Sequence, residues 1–187
     1  MTMATSWSYV PDDVYKPSGQ LIHTLVDVVA KGGNFLLNVG PSPNGELPPD
    51  ALARMRDIGA WLKINGEAIY KTRPVAPYKQ ENVCFTSLRD GTVFAIYLAD
   101  ENEVEPPTSI SLTGIVPGEN ARLSLLGSSI TLSWERTASS SQRSLWVKRI
   151  VVAPSLVSSK SISISWRVSL SSQIQVKASR LGGSISV

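Results

Sequence analysis

The chain has 187 residues, 42% hydrophobic and 18% charged, with a formal net charge of +3. That length suits one large domain or two small ones, and the charge is too mild to point to a nucleic-acid partner by itself. One cysteine and one histidine exclude a disulfide framework, a multi-cysteine metal site and a histidine-based metal cluster. No apolar run approaches the ~20 residues that cross a bilayer, and residues 1–15 lack the basic-then-apolar pattern of an export signal.

Residues 1–16 read as loop, with Trp7, Tyr9 and Tyr15 among polar neighbours. Aromatics in such a segment either pack down as loop anchors or present a platform for the apolar C–H faces of a sugar. Pro17-Ser18 opens a helix, with Ser18 as N-cap. Leu21, Leu25, Val28 and Val29 recur at helical spacing, and Gly32 suits a left-handed C-cap. His23 on this helix reads as packed or solvated, because no second ligand type accompanies it.

The stretch at 31–41, KGGNFLLNVGP, follows. A short apolar run between Gly-Gly and Gly-Pro reads as a strand buried on both faces, the kind found in parallel sheets covered by helices. Asn38 is its polar exception, one step from the C-terminal end where barrel enzymes place their substrate chemistry. The alternative is a buried amide that satisfies loop backbone groups, the commoner fate of such side chains.

Residues 41–45 are turn-rich. A second helix begins near Pro48-Pro49, with Leu52, Met55, Ile58 and Leu62 as its apolar face, and ends at Asn65-Gly66. The order helix, strand, loop, helix is one and a half units of an α/β repeat. The two stripes therefore look built to cover a parallel sheet, and the uncovered remainder is expected to drive self-association.

From Lys79 the period changes to two. Val83, Phe85 and Ser87 alternate with Cys84 and Thr86, and Asp90-Gly91 signals a two-residue hairpin into a return strand over 92–99. Strands over 109–115, 121–126 and 130–135 continue at β-sandwich spacing. Residues 101–107 read as a solvated acidic connection. Beyond Glu135 there is no acidic residue, while Arg136, Arg143, Lys148, Arg149, Lys160, Arg167, Lys177 and Arg180 recur among dense serine. Its Ser-Ile alternation suits strands, but residues 138–187 read as a divergent or out-of-frame end.

Three segments carry a resemblance. Ser6-Trp7-Ser8-Tyr9, the run from Leu25 through KGGNFLLNVGP, and Trp61-Leu62 with Asn65-Gly66-Glu67-Ala68-Ile69-Tyr70 closely resemble the α-L-fucosidases of glycoside hydrolase family 29. The resemblance covers about residues 1–137. It implies α/β followed by all-β: the terminal portion of a (β/α)8-like barrel over 1–74, then a C-terminal antiparallel β-sandwich over 79–187, with 138–187 atypical. It implies fucosylated glycans as partners, no cofactor, and an extracellular, periplasmic or lysosomal setting.

It also implies a retaining mechanism, which needs two carboxyl groups about 5 Å apart. In the family both lie upstream of the Trp7 motif, as do the histidines that hold the sugar hydroxyls. No catalytic residue is therefore expected here, and Asp12, Asp13, Asp50, Asp57 and Glu67 are not assigned as substitutes. Trp7 takes the family's aromatic position beside the fucose methyl and is the one substrate-binding residue carried over. Ser8 stands where the family has Gly. The alternative function is a non-catalytic carbohydrate-binding or structural fragment that needs the rest of a barrel.

Overall fold

The structure is a computed structural model. It describes residues 1–100, 103, 107, 109–113, 115, 121–128 and 132, and the backbone of 133–138, 143–148, 163–169, 178–180 and 183–185. Its first third is helical: α1 (Ser18–Ala30), α2 (Pro49–Asn65) and a 3-10 turn (Gly66–Ala68). The strands that follow are β1 (Arg73–Gln80), β2 (Val83–Ser87), β3 (Val93–Leu98), β4 (Ser109–Thr113), β5 (Arg122–Leu125), β6 (Ser133–Ala138), β7 (Arg143–Lys148), β8 (Ser163–Ser169), β9 (Ala178–Arg180) and β10 (Gly183–Ile185). The coarse order expected from the sequence, α/β then antiparallel β, is the observed one.

Helix α1 starts one residue earlier than expected, at Ser18 itself. Pro17 holds the N-cap position and no side chain caps the helix. Ser18 instead donates its hydroxyl to the Asp57 carboxylate of α2 at 2.5 Å, tying the two helices together. At the other end Gly33 N–H reaches Val28 O and Gly32 N–H reaches Val29 O, both at 2.9 Å. This is a Schellman closure, and it needs Gly32 at φ +78°. Helix α2 places Pro49 at its start, Asp50 in its first turn and Lys63 in its last, each complementing the helix dipole. Gly66 does not end it in a left-handed cap: its φ is −59°, and the chain continues into the 3-10 turn.

The apolar faces of the helices are used differently from the sequence expectation. Ile22, Val26 and Ala30 of α1 pack with Trp61, Ala68 and Ile69 against Cys84, Phe94, Ile96 and Leu98. Helix α1 therefore covers the antiparallel sheet. On the opposite face Val83, Phe85, Val93 and Ala95 join Ile110 and Leu112 of β4 and Leu123 and Leu125 of β5. Strands β2 and β3 are consequently buried on both faces. Thr86, polar in that interior, donates its hydroxyl to Ala68 O at 2.7 Å, as a buried hydroxyl must. Leu52 and Met55 of α2 lie at the surface, outside the stripe assigned to them.

Two antiparallel sheets share that second core. One runs β1-β2-β3-β8-β5 and the other β4-β7-β6. Strand β1 begins six residues before the period-two pattern that starts at Lys79, and it carries Pro74 and Pro77, which a central strand would not accept. It forms the sheet edge, with a register shift against β2 between Pro74 and Lys79, where prolines are tolerated. The β2–β3 connection is longer than two residues. Leu88 N–H bonds to Thr92 O, Gly91 N–H to Leu88 O, and Gly91 has φ +88°. This is the three-residue loop with a left-handed third residue. Within the Ser-rich tail, β8 lies between β3 and β5. Residue 130, where a further strand was expected to begin, lies outside the described residues.

The expected strand at 35–39 is only partly realised. Residues 1–4 run alongside it: Met3 N–H donates to Asn38 O and Asn38 N–H to Met1 O, both at 2.9 Å, a parallel bridge between Thr2 and Asn38. Leu37 and Val39 pack toward Met3, Leu21 and Ala51. Leu36 points the other way and is 74% exposed. With one neighbouring segment among the described residues, one face of this run is covered and the other is not.

Candidate substrate-binding site

The chain leaves residues 1–4 into a loop and returns at Tyr15. An antiparallel bridge between Ala4 and Tyr15 closes its base, with Thr5 N–H on Val14 O and Lys16 N–H on Met3 O, both at 3.0 Å. The Lys16 ammonium fastens the same neck, donating to Thr2 O at 3.0 Å and Ala4 O at 2.7 Å. From α2, Arg54 Nε donates to Lys16 O at 3.0 Å. Asp13 organises the interior: its Oδ2 accepts from Ser6 N–H at 2.9 Å and its Oδ1 from Val14 N–H at 2.8 Å. The Ser6 N–H is the main reason its carboxyl lies below the usual value.

The tip of the loop rests on the end of the 35–39 run. Asn38 Nδ2 donates to Trp7 O at 2.7 Å. Two residues on, Gly40 meets the loop backbone so closely that a Cβ there would lie 2.4 Å from Tyr9 N and 2.6 Å from Ser8 C. Only glycine permits that approach. The backbone of residues 7–9 is thus held from beneath, while Trp7 as a residue is 66% exposed.

The Asn38 amide satisfies a loop carbonyl, as the second alternative expects, but through an exposed bond rather than a buried one. Trp7 is not packed down as a loop anchor among the described residues. The sequence reading missed the roles of Asp13 and Gly40. Asp13 was seen only as one of two adjacent loop carboxylates, and Gly40 only as a strand stop. Gly40-Pro41 was the available signal, since glycine also marks close backbone approach.

Several carboxylates outside this loop are engaged in structural contacts. Asp57 accepts from Ser18, Asp27 pairs with Lys31 at 2.5 Å and Lys79 at 3.5 Å, and Asp90 accepts from Thr92 N–H. Cys84 is buried, and that burial pushes its thiol up to about 11, away from nucleophilic use. An open cleft lined by Lys71, Arg73, Leu88, Arg89 and Asp90 lies at the β2–β3 turn and does not include Trp7. An exposed indole on a fixed backbone offers an apolar face, which suits the C–H edge of a sugar.

Comparison with known proteins gives the class and then the family. The family model described as α-L-fucosidase matches residues 1–67. Human tissue α-L-fucosidase is 32% identical over 173 residues, covering 88% of this chain and 34% of that protein. The tissue α-L-fucosidase of Macaca fascicularis is 40% identical over 122 residues, 59% of this chain and 26% of that one. Among solved structures, α-L-fucosidase isoenzyme 1 from Paenibacillus thiaminolyticus superposes with a TM-score of 0.73 at 27% identity, over 91% of this chain and 39% of that one. The Thermotoga maritima α-fucosidase in complex with a mechanism-based inhibitor gives 0.72 at 26% identity, over 90% and 38%. These relatives are of the glycoside hydrolase class. The chain belongs to the α-L-fucosidase family, glycoside hydrolase family 29, and spans about a third of the length of the human relative, 34%.

Proposed function

We propose that this chain forms the C-terminal part of a retaining α-L-fucosidase that hydrolyses terminal α-L-fucosyl linkages in glycoconjugates. Residues 1–74 supply the last parallel segments and helices of a (β/α)8 barrel. The two antiparallel sheets, which open with β1 at Arg73, are the C-terminal β-sandwich. Trp7 is the apolar wall against which the methyl-bearing edge of fucose packs. One observation carries this reading: the indole is exposed on a loop fixed at the C-terminal ends of two parallel segments, the end where barrel enzymes bind substrate. The nucleophile and the acid/base are assigned to barrel residues upstream of the Trp7 motif. They would stand about 5 Å apart across the bond, and the product would keep its anomeric configuration. The test is the anomer first released from an aryl α-L-fucoside by the complete enzyme, followed by proton NMR. First-formed α-fucose supports the reading, and first-formed β-fucose overturns it. A second reading, carbohydrate binding by this chain alone, draws on the fact that the loop is organised without further barrel strands; titration of the chain with fucose tests it.

A further inference from the structure

We propose that Asn38 and Gly40 are positioning residues for Trp7, setting the direction in which its indole faces a sugar. This rests on the reading of Trp7 as the sugar wall. Trp7 is 66% exposed as a residue, so the backbone beneath sets where its indole starts from. That backbone has two supports from the 35–39 run. One is the 2.7 Å bond from Asn38 Nδ2 to Trp7 O, across 31 residues of sequence. The other is the contact at Gly40, where a Cβ would collide with Ser8 and Tyr9.

Asn38 is well suited to the task because its own backbone is fixed on both sides, donating to Met1 O and accepting from Met3 N–H. The amide therefore extends from a rigid point to the loop. The Asn38–Trp7 bond is solvent-exposed, so its loss leaves a carbonyl that water can satisfy, at little cost to the fold. What is lost is orientation, and orientation of a binding group is what preorganised affinity depends on. Asp13 holds the loop from the other side through Ser6 and Val14, so releasing Asn38 frees the tip without opening the neck.

The experiment uses the 187-residue chain labelled with 5-fluorotryptophan, at a concentration where dilution does not change its sedimentation. Its five tryptophans are read by fluorine NMR, and the Trp7 line is assigned by its loss in Trp7→Phe. Asn38→Asp keeps the side-chain shape but replaces the donor with an acceptor. Gly40→Ala forces the loop outward. In both variants the Trp7 line is expected to shift or broaden while the line of Trp61, buried under α1, stays in place. Unchanged Trp7 lines in both variants overturn the proposal. So does movement of Trp61 equal to that of Trp7, which would mean that the supports hold the fold rather than the indole.

A second readout separates the two layers of the argument. In the complete enzyme, Asn38→Asp is expected to raise KM for an aryl fucoside several-fold with kcat little changed, and to add nothing once Trp7 is Ala. If Trp7→Ala raises KM but Asn38→Asp does not, the positioning role is wrong. If Trp7→Ala has no effect, the sugar reading is wrong, and the positioning role is then judged on the fluorine spectra.

Discussion

Trp7→Ala is the substitution whose size can be worked from the structure. A fully covered indole buries roughly 150–250 Å². With Trp7 66% exposed and a sugar able to cover one face, about 50–80 Å² of indole would leave water on binding, the upper end being taken below. At ~25 cal/mol per Å² that is about 2 kcal/mol, or roughly 30-fold in affinity. A wall that touches substrate and transition state alike raises KM and leaves kcat unchanged. The assay is steady-state hydrolysis of an aryl α-L-fucoside and of the counterpart sugar lacking the methyl group. Trp7→Ala should raise KM about 30-fold for the first and less for the second, because one methyl gives only a modest ratio. Trp7→Phe should fall between. If Trp7→Ala folds normally and leaves both constants and the ratio unchanged, Trp7 faces no sugar and the reasoning fails.

Three further outcomes follow from other parts of the molecule. Leu36, Leu52 and Met55 are exposed, so the 187-residue chain alone should self-associate; sedimentation should show species larger than a monomer, and a sharp monomer at high concentration would count against it. The carboxyls of Asp13 and Asp27 are lowered in the fold, the first mainly by Ser6 N–H and the second mainly by Lys31. A depressed folded value contributes stability that is present above the unfolded value, 3.8, and lost as pH falls through the folded one. Melting temperature should therefore drop on acidification below about pH 4, with a smaller drop in Asp13→Asn. Burial holds the Cys84 thiol at about 11, so at pH 8 iodoacetamide should label it only after denaturation; rapid labelling of the native chain would contradict the packing of α1 on the sheet.

Much of the local structure was legible in the sequence, because helix stripes, glycine caps and period-two runs are local signals. Helices α1 and α2 and the β2–β3 pair came from these. The partner of each apolar face did not. The Ile22, Val26 and Ala30 side of α1 looks the same whether it will cover a parallel sheet or lie on Cys84, Phe94 and Ile96. Only the three-dimensional course of the chain decides it. The first part of strand β1 lies ahead of the period-two pattern and carries prolines, which an edge strand accommodates. The placement of β8 between β3 and β5 joins residues some 70 positions apart, beyond any pattern of spacing. At the candidate site, Trp7 was singled out by its motif, and its contact with sugar is the proposal made above. The Asn38 and Gly40 supports were not legible, because each acts on a loop 31 residues earlier in the chain.

The most direct test is complementation. The upstream segment of human tissue α-L-fucosidase, ending where its match to this chain begins, is expressed alone, and also joined to these 187 residues. Turnover of an aryl α-L-fucoside is then measured for the segment, the chain and the joined protein. The account predicts negligible turnover for either piece and clear turnover for the joined protein, abolished by removing either upstream carboxylate. A folded joined protein without turnover, or turnover by the 187-residue chain alone that survives repeated purification, would contradict it.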